Sequence, residues 1–383
     1  MSDRVNHARS LGLYLHIPFC RSKCLYCDFC SFPRPAEATL AAYTEALCRD
    51  LERQSPKADG YTVDTVYIGG GTPTVLPIAR MEQILSCLFA CYRIAPDAEI
   101  TVECNPATGS RAYFEAMRVA GVNRLSIGVQ SAHAQELRAL GRLHSFEDFE
   151  CTVRDARAAG FQNISADVMS GIPHQSVESY TETLRRLGAL DLAHISAYSL
   201  IVEENTPFGR MADRLPLPDE EVARAMYLQG IEVLASMGYR QYEISNFSKQ
   251  GLESRHNIKY WNCDPFLGFG PAAYSDFEGY RFGNARDLEG YLRGESILEE
   301  RERISSKERK NEYVMLRMRM ADGVPFADYR DRFGEEFEER FGKALSAYIG
   351  RGLVVKDERG YAFTPEGMCV SNEILSDVLE FGE

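Results

Sequence analysis

The sequence predicts an α/β protein built as an incomplete barrel of six strand–helix repeats, followed by a helical domain of the winged-helix type. Two observations predict this fold class. Short apolar runs rich in β-branched residues alternate with longer stretches of helical periodicity up to about residue 240, and from about residue 305 the chain becomes largely helical. Alternating strands and helices form parallel sheets, which curl into barrels or doubly wound layers.

Each predicted repeat contributes one strand and one helix. The strands begin with LYLHIPF at 13, VDTVYIGG at 63, EITVEC at 99, RLSIGVQ at 124, ISADVM at 164 and HISAYSL at 194. The helices are predicted at about 36–54, 77–93, 109–120, 145–160, 176–190 and 219–237. A closed barrel of this type has eight repeats, so six repeats predict an incomplete, TIM-like (β/α)6 barrel.

The chain divides into three predicted parts, which are a partial barrel over 1–240, a loop-rich extension over 241–304 and a C-terminal domain over 305–383. The extension is aromatic and Gly-rich with few regular runs, so we expect loops that cover the barrel. The C-terminal part shows three helical segments, a hairpin pattern in GLVVKDERGYAF and a last helix. That order predicts a winged-helix-like domain.

Composition and charge exclude several classes of protein. With 45% hydrophobic and 26% charged residues, and with no run resembling a membrane span or a secretory signal, we expect a folded cytoplasmic protein. The net charge of -13, and of -4 over 305–383 (12 Lys and Arg against 16 Asp and Glu), argues against a nucleic-acid partner. Peripheral membrane contact and a homodimer are both compatible with the sequence.

Four of the eleven cysteines crowd into residues 20–30, the cysteine loop, directly after the first predicted strand. Cys20, Cys24 and Cys27 have the spacing Cys-x3-Cys-x2-Cys. Three thiolates bind three irons of a 4Fe-4S cluster and leave the fourth iron open. The amino and carboxylate groups of S-adenosylmethionine (SAM) could chelate that iron, and one electron would then break a carbon–sulfur bond of SAM.

Two alternatives remain open for this loop. The first is a zinc site, although zinc sites usually pair two Cys-x2-Cys arms or recruit histidines, and no second arm appears in the sequence. The second is a closed site in which Cys30 supplies a fourth thiolate and excludes SAM. The other cysteines are expected to be small buried apolar residues, and Cys87 and Cys91 share one helix face.

Polar residues and glycines stand at the C-terminal ends of several predicted strands, where barrel enzymes assemble their sites. They are Gly69 to Gly71, Glu103, Gln130 and Asp167. Glycines allow a ligand to approach the backbone, and carboxylates accept hydrogen bonds from hydroxyl or amino groups. Each residue alone could instead cap the next helix.

The cysteine loop, together with GGGTPT at 69, ECNP at 103, RLSIGVQS at 124, LGRLH at 140 and SADVMSGIP at 165, resembles the oxygen-independent coproporphyrinogen oxidase-like family of radical SAM proteins. The resemblance covers nearly the whole chain. It implies a partial barrel of the radical SAM type and a 4Fe-4S cluster on Cys20, Cys24 and Cys27. It also implies a SAM site made of Tyr14, Tyr26, Gly70, Gly71, Thr72, Glu103, Gln130, Arg142 and Asp167.

Two branches of this family differ in activity, because one decarboxylates coproporphyrinogen III and the other binds heme and delivers it to apo-hemoproteins. The decarboxylases carry a fourth Cys two residues after the third, where this chain has Phe29, with Cys30 displaced by one. The residues from His256 to Trp261 match the HNxxYW signature of HemW-type heme chaperones. The resemblance therefore implies a heme chaperone, and the coproporphyrinogen III dehydrogenase is the alternative.

The HNxxYW segment (residues 256–261) permits two interpretations. Imidazole binds heme iron well, so His256 could be an axial heme ligand, or it could anchor a loop through hydrogen bonds. Trp261 could pack on a porphyrin or belong to the core. A third hypothesis for the whole chain is a non-catalytic scaffold in which metal bound by four cysteines only stabilises the fold.

Overall fold

The computed structural model describes residues 9–379. Its strands, in chain order, are β1 (Arg9–Ile17), β2 (Phe19–Cys20), β3 (Phe32–Pro33), β4 (Tyr61–Gly70), β5 (Ile94–Cys104), β6 (Arg124–Gln130), β7 (Asn163–Ser170), β8 (His194–Ser199), β9 (Arg240–Glu243), β10 (Asn246–Ser248), β11 (Phe266–Phe269), β12 (Tyr274–Phe277), β13 (Tyr280–Asn284), β14 (Leu298–Arg303), β15 (Val324–Pro325), β16 (Val354–Lys356) and β17 (Gly360–Phe363).

The helices are α1 (Glu37–Gln54), α2 (Ile78–Cys91), α3 (Arg111–Val119), α4 (Ala134–Ala139), α5 (Phe146–Ala158), α6 (Val177–Ala189), α7 (Glu220–Ser236), α8 (Arg255–Trp261), α9 (Leu288–Arg293), α10 (Ser306–Arg317), α11 (Phe326–Phe333), α12 (Lys343–Ile349), α13 (Pro365–Cys369) and α14 (Ser371–Val378). A π-helical turn over Glu338–Gly342 leads into α12.

The six predicted barrel strands are confirmed as β1, β4, β5, β6, β7 and β8, which pair in parallel in that order. The six predicted helices correspond to α1, α2, α3, α5, α6 and α7. The complete sheet has twelve strands in the order β14-β13-β12-β11-β1-β4-β5-β6-β7-β8-β10-β9. Because it begins with β14 and ends with β9, the barrel is open, as the six-repeat pattern predicts.

Alternation within the strands separates a helix-covered face from an interior face. Leu11, Leu13 and Leu15 of β1 have no exposed surface and belong to the main apolar core between sheet and helices. Side chains of successive strand residues point to opposite faces, so the intervening residues of β1 point into the barrel. The interior is therefore lined by polar residues and glycines, and the core lies outside the sheet.

The expectation of irregular loops over 241–304 is wrong. This segment contributes β11 parallel to β1, and β12, β13 and β14 extend the sheet by antiparallel pairing. These strands are four to six residues long, and β14, with the sequence LEERER, is exposed along its whole length. Short edge strands rich in Gly and charge lack the apolar alternation from which strands are predicted.

The C-terminal helices pack around a three-stranded sheet of order β15-β17-β16, as expected for a winged-helix-like unit. This unit has its own apolar core, rich in Tyr and Phe. It joins the barrel through a bridge between Glu243 and Met320 and through Arg317, whose guanidinium donates to Asn262 Oδ1 over 2.9 Å. The boundaries at 240/241 and 304/305 stay a prediction.

No helix within residues 9–379 combines the length and the apolar character needed to cross a lipid bilayer.

Candidate functional site

A cavity of about 560 Å³ opens at the C-terminal ends of the barrel strands. It brings together most of the residues that the sequence predicts for the cluster and SAM. Tyr14 and His256 lie outside the lining. The predicted residues that do line the cavity are Cys20, Cys24, Tyr26, Cys27, Gly70, Gly71, Thr72, Glu103, Gln130, Arg142 and Asp167.

The cysteine loop is fixed to the barrel through its central residues. The Leu25 amide donates to the Leu140 carbonyl over 3.1 Å, and the Phe208 amide donates to the Leu25 carbonyl over 3.0 Å. Tyr26 packs on Phe208 with a ring-centroid distance of 6.5 Å. These contacts hold the flanking cysteines at the mouth of the cavity.

Polar groups of the barrel approach two of the three predicted cluster ligands. Thr72 Oγ1 lies 3.6 Å from Cys20 Sγ, and Arg142 Nη1 lies 3.4 Å from Cys24 Sγ. Burial raises the pKa of Cys20 and raises that of Cys27 to about 11. Without metal these two thiols are therefore neutral, and a bound metal would displace their protons.

Cys30 differs from the other three cysteines of the loop because it does not line the cavity. It is buried outside the cavity lining, and its carbonyl accepts a hydrogen bond from His16 Nε2 over 2.8 Å. The closed site with a fourth thiolate from Cys30 therefore finds no support in the geometry.

The described residues show no preformed site for a single zinc ion. Across residues 9–379, no three His, Cys, Asp or Glu side chains converge as the ligands of one metal ion do. A 4Fe-4S cluster spreads three thiolates over three irons, so it requires no such convergence. The donor set of three cysteines at the mouth of a cavity fits the cluster.

The glycines of GGGTPT have a packing role beside any role toward a ligand. Gly70 has φ +108°, and a Cβ there would lie 2.5 Å from the His16 ring. A Cβ on Gly71 would lie 2.5 Å from the Phe19 carbonyl oxygen. Glycine is therefore required at both positions because β4 ends against the chain that enters the cysteine loop.

Glu103, on β5, is held by two donors. Its Oε1 accepts from the Tyr67 hydroxyl over 2.9 Å, and its Oε2 accepts from the Gly70 amide over 3.0 Å. Burial, together with the nearby carboxylate of Asp167, raises the pKa of Glu103 to about 7. Near neutral pH this group can therefore accept hydrogen bonds as a carboxylate or donate one as an acid.

Asp167 and Gln130 present further polar atoms to the cavity. Asp167 Oδ1 accepts from Ser126 Oγ over 2.9 Å, and burial raises the pKa of this carboxyl group. Gln130 adopts a left-handed backbone conformation with φ 57°, and its buried Oε1 has no hydrogen-bond partner. An unpartnered buried oxygen at the end of β6 suits a ligand that donates a hydrogen bond, as the amino or hydroxyl groups of SAM do.

Arg142 links three walls of the cavity. Besides Cys24, its guanidinium contacts Asn105 Oδ1 (2.8 Å) and the Gly128 carbonyl (2.9 Å). Asn105 in turn donates to Thr72 Oγ1 over 2.8 Å. Asn105 and Tyr67 line the cavity but were not among the predicted site residues, although Asn105 stands inside the ECNP motif and could have been chosen.

Tyr14 lies one layer behind the cavity lining. Its hydroxyl donates to His16 Nδ1 over 2.9 Å, and its ring stacks on Tyr67 with centroids 6.3 Å apart. Tyr67 lines the cavity and Tyr14 does not, so the contact with SAM that the resemblance implies for Tyr14 stays a prediction.

The surroundings of His256 favour the interpretation that this residue anchors a loop through hydrogen bonds. It has no exposed surface, its Nδ1 lies 2.9 Å from Thr65 Oγ1, and its Nε2 lies 2.8 Å from the Tyr260 hydroxyl. Burial lowers the pKa of His256 to about 3, so the ring is neutral. Since both ring nitrogens are engaged, neither can bind iron without the loss of a hydrogen bond.

Comparison with known proteins agrees with this architecture. Residues 14–187 match the family model of the radical SAM superfamily, and residues 304–370 match that of the HemN C-terminal domain. The solved structure of HemN, the coproporphyrinogen III oxidase from Escherichia coli, superposes with a TM-score of 0.85 at 22% identity and covers 99% of this chain and 92% of that chain. This likeness confirms the predicted fold.

Curated relatives extend the similarity to nearly full length. The heme chaperone HemW of Escherichia coli K12 is 34% identical over 95% of this chain and 97% of that protein. HemW of Bacillus subtilis 168 is 32% identical over 96% of this chain and 98% of that protein. The bovine mitochondrial radical S-adenosyl methionine domain-containing protein 1 is 32% identical over 96% of this chain and 87% of that protein. The chain therefore belongs to the family of the HemW heme chaperones, within the radical SAM superfamily.

Proposed function

We propose that this protein is a heme carrier that binds a 4Fe-4S cluster, SAM and heme, and transfers heme to apo-hemoproteins in the cytoplasm. The observation that carries the proposal is the similarity over 95% of the chain to a relative named as a heme chaperone. The cavity at the barrel mouth supports it, because the thiols and polar atoms that a radical SAM protein needs line this one cavity.

In this proposal Cys20, Cys24 and Cys27 bind the cluster, and one iron remains open to SAM. When both cofactors are bound, they supply one-electron cleavage of a carbon–sulfur bond. Arg142 Nη1 lies 3.4 Å from Cys24 Sγ, so its guanidinium contacts one of the three cluster ligands directly.

The residues at the ends of strands β4 to β7 bind the rest of SAM. Gly70, Gly71 and Thr72 line the part nearest the cysteines. Glu103 and Asp167 accept hydrogen bonds from ribose hydroxyls or the amino group, and Gln130 Oε1 accepts a further one. Tyr26 closes the site from the side of the cysteine loop.

The alternative is a coproporphyrinogen III dehydrogenase. One observation favours it, namely that the cavity retains the residues expected for SAM. Against it stands Phe29, which is 67% exposed at the cavity mouth where the decarboxylases carry their fourth cysteine. An exposed aromatic ring at this place suits an apolar cargo better than it suits metal binding.

The test is a parallel titration of the anaerobically purified protein with reconstituted cluster. One arm adds heme and follows its absorbance, and the other adds coproporphyrinogen III, SAM and a reductant and follows porphyrin products. Stoichiometric heme binding without decarboxylation supports the carrier. Decarboxylated product contradicts it and identifies the dehydrogenase.

A further inference from the structure

A buried arginine lies deeper in the cavity than the proposed SAM site. Arg124, the first residue of β6, has 2% of its surface exposed and lines the cavity. Leu125 and Ile127, the next odd-numbered residues of the strand, have no exposed surface and pack in the core outside the sheet. Alternation along the strand therefore directs the Arg124 side chain into the barrel.

Strand register gives the depth of Arg124. It pairs with Thr101 of β5, whereas Glu103 pairs with Ser126 and Asp167 pairs with Gly128. On β6, Arg124 therefore comes two residues before the partner of Glu103 and four residues before the partner of Asp167. Because the cavity opens at the C-terminal ends of the strands, Arg124 belongs to its floor.

The guanidinium of Arg124 contacts no carboxylate of the described residues, although its positive charge acts on Glu103 and Asp167 and partly offsets the rise in their pKa. None of the carboxylates within residues 9–379 forms an ion pair with it, and its Nε is buried without a hydrogen-bond acceptor. Arg317, which is similarly buried in α10, differs because its guanidinium pairs with Asp322 over 2.9 Å. A buried cation without an anion is costly, and a ligand that supplies the anion removes that cost.

The charges of the groups around Arg124 are compatible with the binding of such an anion. Glu103 and Asp167 are the nearest acids, and burial raises the pKa of both, to about 7 for Glu103. Near neutral pH Glu103 is therefore only partly charged. His194, also on the floor, is neutral and engaged at both ring nitrogens, with Ser165 at 2.7 Å and Tyr242 at 2.8 Å.

We propose that Arg124 binds a carboxylate of a ligand that reaches the cavity floor. A guanidinium matches a carboxylate with two parallel hydrogen bonds. Two ligands of the proposed function carry this group, namely SAM and heme with its propionates, so the inference rests on that function. The carboxylate of SAM is expected at the cluster, at the other end of the cavity, and a heme propionate is therefore the expected source.

The test compares ligands with and without the carboxylate on the holoprotein with its cluster. Heme is paired with heme dimethyl ester, and SAM with decarboxylated SAM, which keeps the amino group and the sulfonium. For the Arg124→Met variant we expect heme affinity to fall roughly 10- to 100-fold, while affinity for the dimethyl ester stays within about 2-fold. Arg124→Lys keeps the positive charge but cannot form the two parallel hydrogen bonds of a guanidinium, so a smaller loss of heme affinity is expected.

Arg317→Met is the matched control, since it removes an equally buried arginine outside the cavity. We expect it to destabilise the fold without any preference between heme and its ester. Arg124→Met is expected to leave the unfolding midpoint of the cofactor-free protein unchanged or raised, because the variant removes an unpaired charge. If this variant does not fold, Arg124→Lys carries the same ligand comparison.

The possible outcomes distinguish heme from SAM as the source of the carboxylate. They also distinguish failure of this inference from failure of the proposed function. Selective loss of affinity for heme over its ester supports a propionate site, and selective loss for SAM over decarboxylated SAM supports the carboxylate site with SAM as its source. Equal effects on both members of each pair, or none, overturn the inference. If the wild-type protein does not bind heme, the proposed function fails, and the SAM arm still tests Arg124.

Discussion

The cysteine loop and the HNxxYW segment are both short motifs with side chains that can bind metal. They differ in how far those side chains are exposed and hydrogen-bonded. Cys24 and Cys27 of the loop are partly exposed and line a cavity. His256 of the HNxxYW segment has no exposed surface and both ring nitrogens are hydrogen-bonded. A potential metal ligand that lies accessible in a cavity indicates binding. A potential ligand that is buried, with all its polar atoms hydrogen-bonded, indicates a structural role.

The HNxxYW segment therefore acts through the barrel. It forms α8, whose Ser254 N-cap accepts from the Asn257 amide, and Glu99 of β5 accepts from the His256 amide over 3.1 Å. Lys259 pairs with Asp64 over 2.8 Å. The helix thereby fills the interior beside β4 and β5 and supports the wall that carries Tyr67 and Glu103. Four substitutions test this difference between the two motifs.

The largest effect is expected from Cys27→Ala. Loss of one of three thiolates leaves the cluster with two ligands, so we expect iron and sulfide contents near zero after anaerobic reconstitution. Cys30→Ala is the matched control and should retain a full cluster, because Cys30 is buried outside the cavity. A cluster that survives in the first variant and is lost in the second would reverse the assignment.

His256→Ala should destabilise the fold by about 4 kcal/mol, because it opens a cavity in the barrel and leaves Thr65 and Tyr260 without partners. Denaturant unfolding measures this loss. Heme stoichiometry, titrated under conditions where the variant remains folded, should be unchanged. An unchanged stability with lost heme binding would make His256 the ligand. His174→Asn, at an exposed histidine with φ 66°, controls for surface changes.

Glu103 should make the stability of the cofactor-free protein depend on pH. Its pKa of about 7 in the fold exceeds its ordinary value of 4.5, so the folded protein holds this proton more tightly. The contribution of Glu103 to stability is then largest below about pH 4.5 and falls by up to about 3 kcal/mol as pH rises through 7. Glu103→Gln should remove that part of the slope in urea unfolding measured between these values.

Glu243→Gln provides the control for this measurement. Burial raises the pKa of Glu243 to about 7 as well, but Glu243 lies outside the cavity. Both variants should flatten the profile of stability against pH, and only Glu103→Gln should weaken SAM binding. Equal SAM affinity in the two variants would remove Glu103 from the site.

The smallest effect is expected from Tyr260→Phe. It removes only the hydroxyl that contacts His256 Nε2 at 2.8 Å, so we expect a loss of about 1 kcal/mol in the free energy of unfolding. Cluster content should not change. A variant that lost iron would show that the HNxxYW segment acts on the cluster directly.

Much of the barrel could be predicted because its strands and helices are long and strongly patterned. The cysteine spacing, the polar ends of the strands and the family resemblance together named eleven residues that line the cavity. Strands β11 to β14 were missed because they are short and depend on pairing with distant chain, as β11 does with β1. That pairing leaves no local signal in the sequence.

Sequence patterns also could not predict residues whose role depends on their depth in the cavity or on contacts with residues distant in the chain. Arg124 stands in RLSIGVQ like an ordinary charge before a strand, and only the register places it on the cavity floor. Tyr67 and Tyr14 have the same residue type on adjacent strands, and only packing shows that Tyr67 lines the cavity. The buried state of His256 depends on Thr65, which lies 191 residues away along the chain.

The most direct test of a three-thiolate cluster open to SAM is the electron paramagnetic resonance spectrum of the reduced, reconstituted protein with and without SAM. Because one iron has no protein ligand in this account, SAM should change the spectrum in the wild type and in Cys30→Ala alike. A spectrum unchanged by saturating SAM in both proteins would contradict it, since all four irons would then be closed to the cofactor.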